Sequence, residues 1–137
     1  MRSKRPAHGN TLIQAALVLP LLVMLGMGGA EYGYFFSVKS SVQAAAREGS
    51  RASTAITATN STVTTAISDA MTNSGLGASG YTVTLSPTNM VGLPSGQQIT
   101  VTVNCPWSAV GVRALPASLG GIPSTKMVSV SVVMNRE

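Results

Sequence analysis

The sequence predicts an α+β chain in which a long N-terminal helix and a second, shorter helix pack on a small three-stranded antiparallel sheet. Three observations carry that expectation. Residues 12–30 are almost uniformly apolar, residues 37–74 are rich in helix-compatible small and apolar side chains, and three later stretches alternate apolar with Ser or Thr at period two. At 137 residues the chain has the length of one small domain with a further segment attached.

The first helix opens in an uncharged run. From Pro6 to Ala30 no formal charge interrupts the chain, His8 aside. About 20 apolar residues in helical form cross the roughly 30 Å hydrocarbon layer of a bilayer. Pro20 falls inside the run, where a membrane helix tolerates it at the expense of a kink. Tyr32, Tyr34, Phe35 and Phe36 follow immediately, which reads as an aromatic belt at the water–lipid boundary. Arg2, Lys4 and Arg5 precede the run and no acid comes before Glu31, so the expected orientation is N-terminus in the cytoplasm and everything past Tyr32 outside. Two processing routes fit the spacing. The segment is a signal peptide cut after Ala30, releasing a secreted protein, or the leader is residues 1–9 and the apolar run stays as a permanent helix.

Past the aromatics, residues 37–54 are alanine-rich and proline-free, good helix material that continues the apolar run. One helix over about residues 11–54 would be about 65 Å long. Val63, Ala66, Ile67, Ala70 and Met71 then form a helical apolar stripe, with Asn60 as expected N-cap and Gly75 as the residue past the end, giving a second helix over 61–74. The period next changes to two. Tyr81–Leu85, Gln98–Asn104 and Lys126–Val133 each present one apolar and one Ser/Thr-rich face, as strands laid over a helix do.

Composition limits the chemistry. Only 9% of residues are charged, with four acids and one histidine in all. That inventory does not assemble a general acid/base pair, and it points to a non-enzyme with no cofactor, metal or small-molecule substrate. The net charge of +5 is concentrated before the apolar run, and the other basic residues are scattered without aromatic platforms, so no nucleic acid is expected as a partner. Cys105 has no second cysteine to pair with; a buried free thiol is the expected state, and a bridge to another chain the sharper reading. The long loop from Pro106 to Pro123 suggests a partner-facing patch around Cys105, Trp107 and Val110. Glu31, at the end of the apolar run, reads as a helix-surface charge at the water interface.

Three motifs taken together resemble a known family. Gly9-Asn-Thr-Leu-Ile-Gln14-Ala-Ala-Leu-Val-Leu-Pro20, the exit Glu31-Tyr-Gly-Tyr-Phe-Phe36, and Ala45-Ala-Arg47-Glu48-Gly49-Ser-Arg51 are similar to the TadE-like minor pilins and pseudopilins of tight-adherence (Tad, or Flp) pilus systems. The likeness is closest over residues 9–51 and loose beyond them. It implies a pilin-like fold with residues 1–9 as leader, 10–36 as the transmembrane half of the helix and 37–137 as an exported head. It also implies cleavage between Gly9 and Asn10 by a prepilin peptidase, residence in a bacterial inner membrane in contact with lipid, and partnership with other Tad pilins and the membrane assembly platform. Gln14, Pro20 and Glu31 would then serve subunit assembly, and Arg47, Glu48, Gly49 and Arg51 form the helix motif. In the family an acid stands where this chain has Gln14. An amide is far cheaper to bury than a lone carboxylate but cannot neutralise a neighbour's amine. Gln14 is therefore either a tolerated replacement or the mark of a subunit, such as a tip or initiator, that recruits no further subunit above it.

Overall fold

The computed structural model describes the backbone of residues 8–112 and 114–137, and side chains from Thr11 onward. Residues 1–7, with the basic cluster Arg2, Lys4 and Arg5, and Arg113 lie outside the described residues.

Helix α1 runs from His8 to Ser53 without a break, 46 residues with Pro20 inside, and is about 69 Å long. Its second half is helical, as the sequence predicts, and buries one face. Val38, Val42, Ala45, Ala46, Gly49 and Ser53 are buried at spacings of three and four, one face of a helix. Gly49 sits where helix α2 (Asn60–Asn73) crosses: a side chain there would run into Cγ1 of Ile67 and come within 2.6 Å of its Cδ1.

In α2 the buried residues Val63, Ile67 and Met71 are those the stripe predicts. The N-cap is Thr59 rather than Asn60. Thr59 has extended backbone angles and its hydroxyl accepts from the Thr62 N–H at 3.2 Å. Asn60 is the first helical residue, and its amide reaches the 88–90 loop, donating to the Thr88 carbonyl at 2.6 Å and accepting from the Met90 N–H at 2.9 Å. The other end closes as expected on Gly75 (φ 74°). The Gly75 N–H bonds the Thr72 carbonyl at 2.9 Å and the Leu76 N–H bonds that of Met71 at 2.8 Å, the paired pattern of a Schellman cap.

Strands β1 (Thr82–Ser86), β2 (Gln98–Pro106) and β3 (Met127–Asn135) form one antiparallel sheet with β2 in the centre. Ile99, Val101, Val103 and Cys105 of β2 are completely buried beneath α1 and α2, while Thr100, Thr102 and Asn104 lie on the opposite face. In register, Val101 faces Val132 and Val103 faces Val130 on the apolar side, and Thr102 faces Ser131, their hydroxyls 2.7 Å apart, on the other. A one-turn helix, α3 (Trp107–Val110), ends β2, and a loop carrying the 3₁₀ turn Ala117–Leu119 leads back to β3. The α+β arrangement is the one the sequence predicts.

Candidate functional site

The first half of α1 has no protein packed on it. Residues 11–27 are all exposed, although they include Leu17 and Leu25, each more than 70% exposed. An 18-residue window of this stretch has a mean hydropathy of 2.0 and no buried residue. In water so large an apolar surface would be a strong liability, whereas its length and composition suit a bilayer. Gln14 and Pro20 lie within it, exposed. Gly9 and Asn10 are in its first helical turn.

The exposed stretch ends at Glu31, and here the structure corrects the sequence reading. Glu31 is 1% exposed rather than a surface charge. One carboxylate oxygen accepts the Ile122 N–H at 2.8 Å and the other accepts the Leu115 N–H at 3.0 Å. The loop between α3 and β3 thus folds back along α1 and is fastened to it. Adjacent contacts support the fastening. The Tyr32 hydroxyl donates to the Gly120 carbonyl at 3.3 Å, and a Leu115 methyl lies 3.4 Å from where a side chain at Gly28 would begin. A side chain at Gly121 would strike the Leu115 carbonyl, so glycine is what lets the loop close over the carboxylate. Both Glu31 oxygens are engaged within the chain.

The Arg47–Arg51 motif divides by face. Arg47, Glu48 and Arg51 point outward, and Gly49 is buried against α2. The neighbouring buried serines satisfy themselves on the helix, Ser50 donating to the Ala46 carbonyl at 2.8 Å and Ser53 to that of Ser50 at 2.6 Å. The motif's small residues therefore make the helix crossing, and its charges solvate the far side.

The expected partner patch at Cys105 and Trp107 is not on the surface. Cys105 is a free, fully buried thiol and Trp107 is 1% exposed. Trp107 is held by the helix exit, with its ring centroid 5.2 Å from that of Phe35 at 70° and 5.9 Å from that of Tyr34. Of the four aromatics expected in a belt, Phe35 is half-buried in this packing, while Tyr32 and Phe36 are well exposed. Sequence reading counts Arg136 only among the scattered basic residues. It is 5% exposed, and its guanidinium donates to the carbonyls of Met90 and Ile56, tying the end of β3 to the α1–α2 connection. Its only sequence signal is a lone charge just past an alternating strand. Among the described residues no group of three or more His, Cys, Asp or Glu is placed to hold a metal.

A family model described as TadE-like protein matches residues 9–51. The match covers about a third of the chain, from the first turn of α1 to the end of the Arg47–Arg51 motif. No curated protein and no solved structure matches the chain. The match associates the chain with Tad pilus systems, and the TadE-like family is a structural pilus family rather than an enzyme family.

Proposed function

We propose that the chain is a minor pilin or pseudopilin of a Tad (Flp-type IVb) pilus, acting in pilus assembly or initiation and through it in surface adhesion or secretion. One observation carries the reading. A single unbroken helix has a wholly exposed apolar half and a half that organises a small head, and the TadE-like match lies on that helix. The exposed half spans the inner membrane with the N-terminus in the cytoplasm, and residues 37–137 form the exported head. A prepilin peptidase trims the chain between Gly9 and Asn10. The apolar helix then packs against those of other Tad pilins and the assembly platform, through small residues such as Ala15, Ala16, Gly26 and Gly29, which lie exposed on it. Gln14, exposed on the same stretch, offers hydrogen bonds without charge; Gln14→Glu, scored by pilus number and length, measures whether that substitution matters.

The deciding experiment is mass spectrometry of the processed protein from its native cell. A mature chain beginning at Asn10 is expected, because it keeps the membrane helix. A chain beginning at Glu31 overturns the reading in favour of a secreted protein, since a head without the helix cannot enter a helix-packed filament.

A further inference from the structure

We infer that residues 114–120 form a foot that inserts into the outer-facing lipid layer beside α1, and that Glu31 is the group that holds it there. The inference rests on reading the exposed half of α1 as the membrane span.

The first argument is level. An apolar groove runs between Met24, Leu25, Gly28 and Tyr32 of the helix and Leu115 and Leu119 of the loop. Gly28 and Met24 lie four and eight residues before Tyr32, about 6 and 12 Å toward the middle of the span at 1.5 Å per residue. With Tyr32 at the headgroup level, the leucines sit at the depth of about 5–10 Å typical of interfacial apolar segments. The second argument is composition. Residues 114–120 read Ala-Leu-Pro-Ala-Ser-Leu-Gly, without a charge, and Leu119 is 56% exposed.

The third argument is backbone chemistry. A loop enters the interfacial layer at least cost where its N–H groups are satisfied within the protein, and at that level the N–H groups of Ala114, Ala117 and Ser118 are left to headgroup water. Here the Leu115 and Ile122 N–H groups go to Glu31. Those of Leu119, Gly120 and Gly121 go to the carbonyls of Pro116, Ala117 and Pro116, at 2.9–3.2 Å. Pro116 has no N–H to satisfy. An ordinary surface loop has no need of a buried carboxylate for this purpose, because water would serve.

The test places a polarity-sensitive fluorophore on Leu119→Cys, on Leu21→Cys in the span and on Ser74→Cys in the head, in the full chain reconstituted into phosphatidylcholine/phosphatidylglycerol vesicles. Cys105 is fully buried and does not compete for label in the folded chain; Cys105→Ala supplies a second background. Spin-labelled lipids then quench by depth. The Leu119 label is expected to lose most of its fluorescence to a lipid labelled near the headgroup, the Leu21 label to one labelled mid-chain, and the Ser74 label to neither. Quenching at Leu21 without quenching at Leu119 overturns the foot and leaves the span intact. No quenching at either position overturns both. A Leu119 label shielded from lipid quencher and aqueous iodide alike assigns the groove to a second copy of the chain. In Glu31→Gln the amide N–H opposes one of the two backbone donors, so the Leu119 label is expected to lose its lipid quenching while Leu21 keeps it. Unchanged quenching there overturns the role given to Glu31.

Discussion

Gly49→Ala is the substitution on which the packing account is most exposed. In an isolated helix, replacing Gly by Ala stabilises by about 1 kcal/mol. Here the new methyl would strike Cγ1 of Ile67 and lie 2.6 Å from its Cδ1, with Val101 Cγ1 at 3.6 Å behind. Ile67 is fully buried and has no free side to turn toward. Overpacking of this kind costs roughly 1–3 kcal/mol, so the clash outweighs the helix gain and the net loss is about 1 kcal/mol. The sign should reverse once Ile67 is shortened. Ile67→Ala alone costs about 2–5 kcal/mol through its cavity. In that background the Gly49→Ala methyl enters the vacated space and also keeps its helix gain, stabilising by about 1–2 kcal/mol. The cycle therefore predicts a coupling of roughly 2–3 kcal/mol between the two positions. Urea unfolding of the full chain in detergent micelles, followed by Trp107 fluorescence, reads each corner. If Gly49→Ala stabilises in both backgrounds, the close approach of α1 and α2 at this glycine is wrong.

Three other outcomes are expected. Arg136→Met removes the guanidinium from the Met90 and Ile56 carbonyls; hydrogen bonds from a charged group support a loss of about 2–3 kcal/mol, read as a lower urea midpoint with unchanged slope. Gly75→Ala forces a side chain into the left-handed region at φ 74°, which costs about 1–2 kcal/mol, whereas Gly26→Ala, in open space on the exposed helix, leaves the midpoint of the head unmoved. The Cys105 thiol, fully buried, should resist a disulfide reagent in the native chain and react fully in denaturant; fast native labelling would show that β2 is not covered as described.

Where local pattern suffices, the sequence was a good guide. The spacing of Val63, Ile67 and Met71 gives α2, and the alternation of Ile99, Val101 and Val103 gives the face of β2, because the period of each element is written into consecutive residues. The choice between Thr59 and Asn60 as N-cap was decided from elsewhere. Either side chain can cap a helix, and the Asn60 amide is drawn instead to Thr88 and Met90, about thirty residues away. Trp107 was misplaced for a related reason. A lone aromatic in a long Pro/Gly loop looks exposed until the single turn of α3 brings it against Phe35. Arg136 carries so little local signal that only the meeting of β3 with two distant loops reveals its work.

Glu31 is the most instructive of these cases, because its local context argues for the wrong answer. A carboxylate one residue past an apolar run should face water, and the helix alone gives it no reason not to. What changes its environment is a pair of backbone N–H groups 84 and 91 residues away in sequence, presented by a loop that glycine at 121 allows to close. Along α1 it is also the first buried side chain after the exposed stretch, with Val38 the next. The first fully buried contact between helix and head is therefore this polar clasp, flanked by Leu115 at Gly28 on one side and by Phe35 on Trp107 on the other, and the fully buried apolar face starts about two turns later. A helix joined to its head only by the later apolar face would leave the 114–120 loop free to swing. Fastening it at residue 31 fixes where the head ends relative to the apolar run, a requirement for any subunit whose helix must lie in one environment and whose head must face another.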